Sequence, residues 1–264
     1  MTTIESKFKR LEEKYQATLG IYAIDTKTTK EITYNQEERF AFTSTYKAII
    51  SGIILRNYTN EQLNKRIFYT AEDLVTYSPI TQDHVSGGMT IREIIHAAIT
   101  YSDNTAGNLL FNELNGPKEF QNALEKIGDQ VTHSDRYETD LNSAVPSDIR
   151  DTTTPTAFLK DLSFLMDPSH MNHEALAYFK KTLIENTTGD HLIRAGVPDG
   201  YIVGDKTGAG SYGTRNDIAV IFSSKDDMKP FVWIIFSKMV KKEDQYHDQL
   251  IADAAKLLSE YYSL

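Results

Sequence analysis

The sequence has no cysteine in its 264 residues. That removes disulfides, thiolate nucleophiles, zinc–thiolate centres and iron–sulfur clusters together. Long apolar runs are missing as well; none approaches the roughly 20 residues that cross a bilayer as a helix, so no membrane span is expected. The opening residues, Met1-Thr-Thr-Ile-Glu-Ser-Lys7, hold no apolar stretch of the signal-peptide kind. Two expectations follow: a cytoplasmic protein, or an exported one met without its leader. Basic residues are in deficit, with 28 Lys and Arg against 37 Asp and Glu, a net charge of −9. With no basic patch to offset it, such a chain repels phosphate backbones, and nucleic acid is not expected as a partner. Repeats and low-complexity linkers are lacking too. What is there is 40% hydrophobic and 25% charged, a globular balance with length enough for one large domain or two small ones.

Periodicity places strands at both chain ends and helices between them. Residues 5–18 are charged, with Phe8, Leu11 and Tyr15 at helical spacing. Residues 20–25 and 31–34 read as a hairpin. Residues 43–57 are apolar nearly all round, which predicts a buried helix. Thr90-Ile-Arg-Glu93 is a capping box. The helix over 117–127 starts at Pro117 and stops at Gly128. Thr154-Pro155 opens another, and 172–186 forms one more, stopped by Gly189. Residues 201–207, 217–223 and 231–237 are dense in Val, Ile and Phe and read as strands. A helix over 244–262 closes the chain. The economical assembly is α+β: an antiparallel sheet of about five strands built from both chain ends and flanked by the terminal helices, with an inserted all-α domain. The expected division is 1–40 with 187–264 against 41–186, with a ligand cleft between. Residues 135–151 follow neither period. They include Tyr137, Leu141 and Val145, and read as a packed Ω-loop.

Four short motifs could carry chemistry. Ser44-Thr-Tyr-Lys47 opens the long apolar helix, and a lysine one turn from a serine can hold its hydroxyl and help take its proton. The alternative is an N-cap serine. Ser6-Lys-Phe-Lys9 has the same spacing in a polar segment and is given no functional weight. Ser102-Asp-Asn104 lies at a helix junction, where capping is the plain alternative. In Arg136-Tyr-Glu-Thr-Asp-Leu-Asn142, Glu138 and Asn142 stand four apart and could hold and deprotonate one water; a solvated acidic loop is the rival. Lys206-Thr-Gly208 follows a strand over 201–205. A lysine and a hydroxyl there suit a carboxylate, Gly208 lets a ligand approach the backbone, and Arg215 could add a second cation. A plain hairpin turn is the rival. Gly208-Ala-Gly-Ser-Tyr-Gly213 has dinucleotide-loop spacing, but a strand follows where a helix is required, so it is rejected. His170 and His173 lack a third ligand, and no metal site is expected.

Taken in order and spacing, Ser-x-x-Lys, Ser-Asp-Asn, Glu-x-x-x-Asn and Lys-Thr-Gly closely resemble the class A serine β-lactamases. Tyr77-Ser-Pro, Gly88-Met-Thr, Ser102-Asp-Asn-Thr-Ala106, Arg150-Asp-Thr-Thr-Thr-Pro155 and Gly208-Ala-Gly-Ser-Tyr-Gly-Thr-Arg215 extend the likeness from about residue 5 to the end. It is greatest to penicillinases of the Gram-positive, Bacillus type. The resemblance implies that Ser44 forms an acyl-enzyme, with the N–H groups of Ser44 and Ala209 as oxyanion hole. Lys47 would lie between Ser44, Asn104 and Glu138, and Ser102 would protonate the departing nitrogen. Lys206, Thr207, Gly208 and Arg215 would bind the substrate carboxylate, Tyr77 would wall the cleft, and Asn104 would bind the acylamide side chain. Glu138 and Asn142 would activate the hydrolytic water. Arg136 and Asp151 would close the loop. The base for acylation, Glu138 or Lys47, stays open. No cofactor is implied; the partner is a β-lactam, and a monomeric, secreted or periplasmic mature form is expected. Two departures stand out: Thr43 where many relatives have cysteine, and Thr139 where proline often follows the loop glutamate. A penicillin-binding DD-peptidase or an acylated sensor domain would share Ser44, Lys47 and Lys206; Glu138 on its loop argues for a hydrolase.

Overall fold

A computed structural model describes residues 3–223 and 226–264. In chain order come α1 (Ile4–Tyr15), β1 (Thr18–Asp25), β2 (Lys30–Tyr34), β3 (Phe40–Ala41), α2 (Tyr46–Asn57), α3 (Asn60–Leu63), β4 (Arg66–Ile67) and β5 (Met89–Thr90). Then follow α4 (Ile91–Thr100), α5 (Asn104–Glu113), α6 (Pro117–Ile127), β6 (Thr152–Thr153), α7 (Pro155–Met166), α8 (His173–Ile184) and α9 (Ile193–Gly196). The chain closes with β7 (Tyr201–Gly210), β8 (Thr214–Ser223), β9 (Asp226–Lys238) and α10 (Asp248–Tyr262). The main sheet has the order β2-β1-β9-β8-β7, so the first strands and the last share one antiparallel sheet.

Alternation along the strands explains the two-sided burial. On β8, Ile218 and Val220 face the helices of the middle segment, while Ala219 and Ile221 join Phe8, Trp233 and Ile251 beneath the terminal helices. A sheet buried on both faces needs continuous apolar strands, which is why 217–223 and 231–237 read as they do. The central helix α2 is buried from Tyr46 to Leu55. Its isoleucines 49, 50, 53 and 54 are each buried to 2% exposure or less, worth about 1.5–3 kcal/mol apiece.

Local signals set most helix starts. Thr90 and Glu93 form a reciprocal capping box, Thr154 caps α7 with Pro155 in the first turn, and α6 runs from Pro117 to a left-handed Gly128. Several boundaries differ from expectation: α2 starts at Tyr46 after a 3-10 turn, and β1, β8 and β9 start earlier than read, at Thr18, Thr214 and Asp226. The first helix ends at Tyr15, because β1 claims Thr18 for pairing with Lys238. The helix expected to stop at Gly189 ends at Ile184, and Gly189 is glycine because a Cβ there would lie 1.9 Å from Asp205 Oδ2. The last helix begins at Asp248 rather than 244. The strand before Lys206 does not stop: β7 continues to Gly210, so Lys206-Thr-Gly208 lies inside an edge strand.

Candidate active site

The turn that carries Ser44 is built between β3 and the start of α2. Phe42 N–H donates to Asp151 O (3.0 Å), and Asn216 Nδ2 on β8 donates to Ala41 O (2.7 Å), so both sides hold the strand that enters it. Thr43 then takes φ +46°, a left-handed conformation unusual for a β-branched residue. Ser44 sits on a 3-10 turn over Thr43–Thr45, ahead of α2 and not as its cap. Lys47, in the first turn of α2, has no solvent exposure. Its Nζ donates to Ser44 Oγ (2.9 Å), Asn104 Oδ1 (2.6 Å) and Ser102 O (3.0 Å), and pairs with Glu138 Oε1 at 2.9 Å. Burial pulls the Lys47 ammonium below its ordinary value, against the opposing pull of Glu138.

Ser102 stands between α4 and α5 at φ +57°. Asp103 caps α5 by accepting from Ala106 N–H, and it also binds Ile80 and Thr81 N–H. The capping alternative therefore holds for Asp103, while its neighbours face the cleft. Asn104 Nδ2 donates to Thr76 O (2.8 Å) and Asn104 N–H to Tyr77 O (3.0 Å), tying the segment that carries Tyr77 to the site. Tyr77 is exposed at the rim of the cleft.

Residues 135–151 contain one 3-10 turn and no other regular structure. Arg136 Nε pairs with Asp151 Oδ2 (2.5 Å), and Asp151 Oδ1 accepts from Asp135 and Arg136 N–H. Asn142 Nδ2 donates to Glu138 Oε2 (2.5 Å), leaving Oε1 for Lys47 and for Ser44 Oγ at 3.5 Å. The Glu138–Thr139 peptide is cis. A residue the motifs did not single out secures this geometry. Asn108 Oδ1 accepts from Glu138 N–H (2.8 Å) and its Nδ2 donates to Glu138 O (3.1 Å). Its signal was present: it stands four residues after Asn104 in one helix, so the two share a face.

On β7, Lys206 Nζ donates to Ser102 Oγ (2.9 Å) and Thr207 O (2.8 Å), and Thr207 Oγ1 meets Thr188 Oγ1 at 2.6 Å. Burial, reinforced by the like charge of Lys47, pushes Lys206 well below its ordinary value, opposed by Asp205 and Asp217. Gly208 has a reason beyond the one its motif suggested. A Cβ there would lie 2.1 Å from Thr43 Oγ1, so its bareness lets β7 press on the turn that carries Ser44. Ala209, next along, lines the cleft with Ser44. Arg215 lines it too, but its guanidinium is shared: Nε is 2.7 Å from Asp248 Oδ1 and the ring of Tyr246 lies 4.7 Å away. Tyr246 and Thr188 are cleft residues no motif announced. The glycine-rich stretch 208–213 is the end of β7 and its hairpin, followed by β8. His170 stacks on Phe164, with ring centroids 3.8 Å apart.

These groups converge on a cleft of about 400 Å³. A depression of about 450 Å³ between 144–149 and the sheet is larger, but its cations are already engaged: Arg39 bonds Thr152 and Val131 O, and Lys238 pairs with Glu38. Convergent hydroxyls, lysines and a carboxylate, not size, mark the site. The model of the β-lactamase enzyme family matches residues 3–262. A β-lactamase of Bacillus amyloliquefaciens is 51% identical over 95% of this chain and 81% of its own, and β-lactamase 1 of Bacillus cereus is 49% identical over 96% and 81%. A class A β-lactamase from Clostridium kluyveri superposes with TM-score 0.96 at 43% identity, covering 98% of both chains. A halotolerant bacterial β-lactamase superposes at 0.95 with 48% identity, over 98% and 99%. With sequence and fold in agreement over nearly its whole length, this chain belongs to the β-lactamase enzyme family, among its class A members.

Proposed function

We propose that the chain opens the β-lactam amide bond of penicillins, and of some cephalosporins, through an acyl-enzyme on Ser44, and thereby confers resistance. Ser44 Oγ attacks the lactam carbonyl carbon while its proton leaves toward the Lys47–Glu138 pair, 2.9 Å and 3.5 Å away. The developing oxyanion is held by the N–H groups of Ser44 and Ala209; losing one such donor costs about 3–4 kcal/mol of transition-state stabilisation. The C–N bond breaks as Ser102 gives its proton to the nitrogen, with Lys206 at its hydroxyl favouring that transfer, and Ser102 is reprotonated by the proton that left Ser44, which frees the Lys47–Glu138 pair. Glu138, oriented by Asn142, then takes a proton from water, which attacks the ester carbonyl; the ester C–O bond breaks and that proton passes to the departing Ser44 oxygen, restoring both groups. Lys206, Thr207 and Arg215 hold the substrate carboxylate beside Gly208. Tyr77 walls the cleft, and Asn104 takes the acylamide group. Ser211 N–H donates to Asn142 O (3.0 Å), which draws the β7–β8 hairpin onto the Ω-loop and narrows that side of the cleft, in keeping with penicillin preference. The same reading divides the chain into an α/β domain of residues 1–40 and 187–264 and an all-α domain of 41–186. It makes the protein a monomer acting outside the cytoplasmic membrane.

The observation that carries this reading is a carboxylate within reach of both nucleophile and lysine, since a peptidase or sensor has no need to release its acyl group fast. Benzylpenicillin mixed with the protein tests it. The hydrolase reading expects many equivalents of penicilloic acid per enzyme and an unmodified mass afterwards. A single equivalent, retained on the protein for hours, assigns it to the peptidases or sensors.

A further inference from the structure

Residues 186–189 fold against β7: Gly189 presses on Asp205, and Thr188 reaches the cleft. Thr187 ties the segment to α4, its N–H and its hydroxyl both donating to Thr100 O, at 2.9 Å and 2.8 Å. Behind it, Arg194 Nη2 lies 2.6 Å from Asp205 Oδ1, and the buried Asn186 donates through Nδ2 to Asp205 Oδ2 (2.6 Å). The other amide atom, Asn186 Oδ1, accepts from Thr188 N–H (3.1 Å) and from Thr188 Oγ1 (2.9 Å). Thr188 Oγ1 is in turn 2.6 Å from Thr207 Oγ1. In the proposed reaction this last hydroxyl meets the substrate carboxylate.

The direction of each proton along this chain follows by elimination. The backbone N–H of Thr188 can only donate, so the Asn186 atom facing it is the oxygen, and the amide has one orientation. A hydroxyl 2.9 Å from that oxygen donates to it, since two oxygens so close with no proton between them repel. Thr188 has one hydroxyl proton and it goes to Asn186, so the proton in the 2.6 Å contact belongs to Thr207. Thr207 thus turns lone pairs, not its proton, toward the cleft. A carboxylate only accepts, and it gains a bond from Thr207 only if the chain reverses. Thr207 then donates to the carboxylate, Thr188 swings its proton to Thr207, and Asn186 Oδ1 keeps the N–H of Thr188. We propose that Thr188 is a specificity-determining positioning residue, whose hydroxyl orients Thr207 and makes the site give up one internal hydrogen bond for the substrate's carboxylate. The exchange favours an anion, because a bond to a charged acceptor outweighs a neutral one, whereas a neutral ester gains no more than it displaces. The proposal rests on Lys206, Thr207 and Arg215 as the carboxylate site.

T188V keeps the shape of the side chain and removes the hydroxyl. Benzylpenicillin and its methyl ester, compared in parent and variant, test the proposal. With no bond to Asn186 to give up, T188V should raise kcat/KM for the acid about two- to tenfold, the span of one neutral hydrogen bond, through a lower KM. The ester should be unaffected, and T188S, which keeps the hydroxyl, should match the parent with both. An equal change for acid and ester, as a packing role would give, overturns the proposal, and so does an acid KM unmoved or raised in T188V. Neutron diffraction from the parent reads the same claim should T188V fail to fold. The deuterium between the two threonines is expected on Thr207; one carried by Thr188 overturns the proposal. The parent's own acid-to-ester ratio separates the two levels: a ratio near one removes the carboxylate site itself, whereas a large ratio that T188V leaves unmoved removes only the role of Thr188.

Discussion

The guanidinium of Arg136 and the carboxylate of Asp151 meet across the neck of the Ω-loop, 15 residues apart, with Nε 2.5 Å from Oδ2. Asp151 has no solvent exposure, so its charge depends on this partner and on two backbone N–H groups. Removing one member of a buried pair leaves the other unpaired, at a cost of about 3–5 kcal/mol. R136A is therefore expected to lower the thermal midpoint and to admit protease cleavage between 138 and 150. The double variant R136A/D151A should be less destabilised than the single one but equally open to protease. An uncut loop in both would show that Asn108 and the hairpin suffice to hold it.

Arg215 divides its charge between the cleft and Asp248. R215A should raise KM roughly tenfold for substrates that carry the carboxylate, the scale of one charge-assisted hydrogen bond, with a smaller effect on kcat. D248N should lower KM, because it frees the guanidinium. Steady-state kinetics on both variants reads this; an unchanged KM in R215A would leave the anion to Lys206 and Thr207.

Gly107 is a helix-interior glycine, where alanine would normally add about 1 kcal/mol of stability. Here its Cβ would meet the Tyr46 hydroxyl and Lys47 Cε. G107A is expected to lose at least tenfold in kcat/KM, with its thermal midpoint no higher than the parent's. G107A/Y46F should recover much of the loss, since the nearer of the two contacts is gone. Additivity of the two substitutions in a double-mutant cycle would contradict the shared contact.

A pair of buried carboxyls lies outside the lining of the cleft. Asp161 on α7 is 2% exposed and faces Asp129, whose Oδ1 accepts from Val131 and Thr132 N–H. Burial first, then Asp129, raises the Asp161 carboxyl well above its ordinary value, with Lys160 pulling the other way. A group raised by folding gives its full stability below the unfolded value and loses it as pH rises through the folded one. D161N cannot ionise, so its advantage in thermal midpoint over the parent should grow as pH rises from about 4. Parallel curves would show that the pair does not titrate in the folded protein.

The sheet's two-ended origin, most helix starts and the residues of the motifs were legible because they rest on local chemistry: caps, prolines, period and spacing. Boundaries failed where a distant partner decided. Thr18 joined β1 because Lys238 awaited it, and β7 ran on through Lys206 because β8 paired with it as far as Gly210. Gly208, read as room for a ligand to approach the backbone, is also the seat for Thr43, which no spacing announced. Asn108, Thr188 and Tyr246 act across elements remote in sequence, so spacing alone could not announce them, although Asn108 shared a helix face with Asn104.

The central claim is that Glu138 drives the water that frees Ser44. Rapid quenching of a penicillin reaction, with mass of the intact protein and mapping of the modified peptide, measures acyl-enzyme formation and decay separately. In the parent the adduct should remain scarce at steady state, whereas in E138A it should accumulate on Ser44 to near one equivalent and decay at least a thousandfold more slowly, within the range for losing a general base. Equal decay rates in the two proteins would contradict the account.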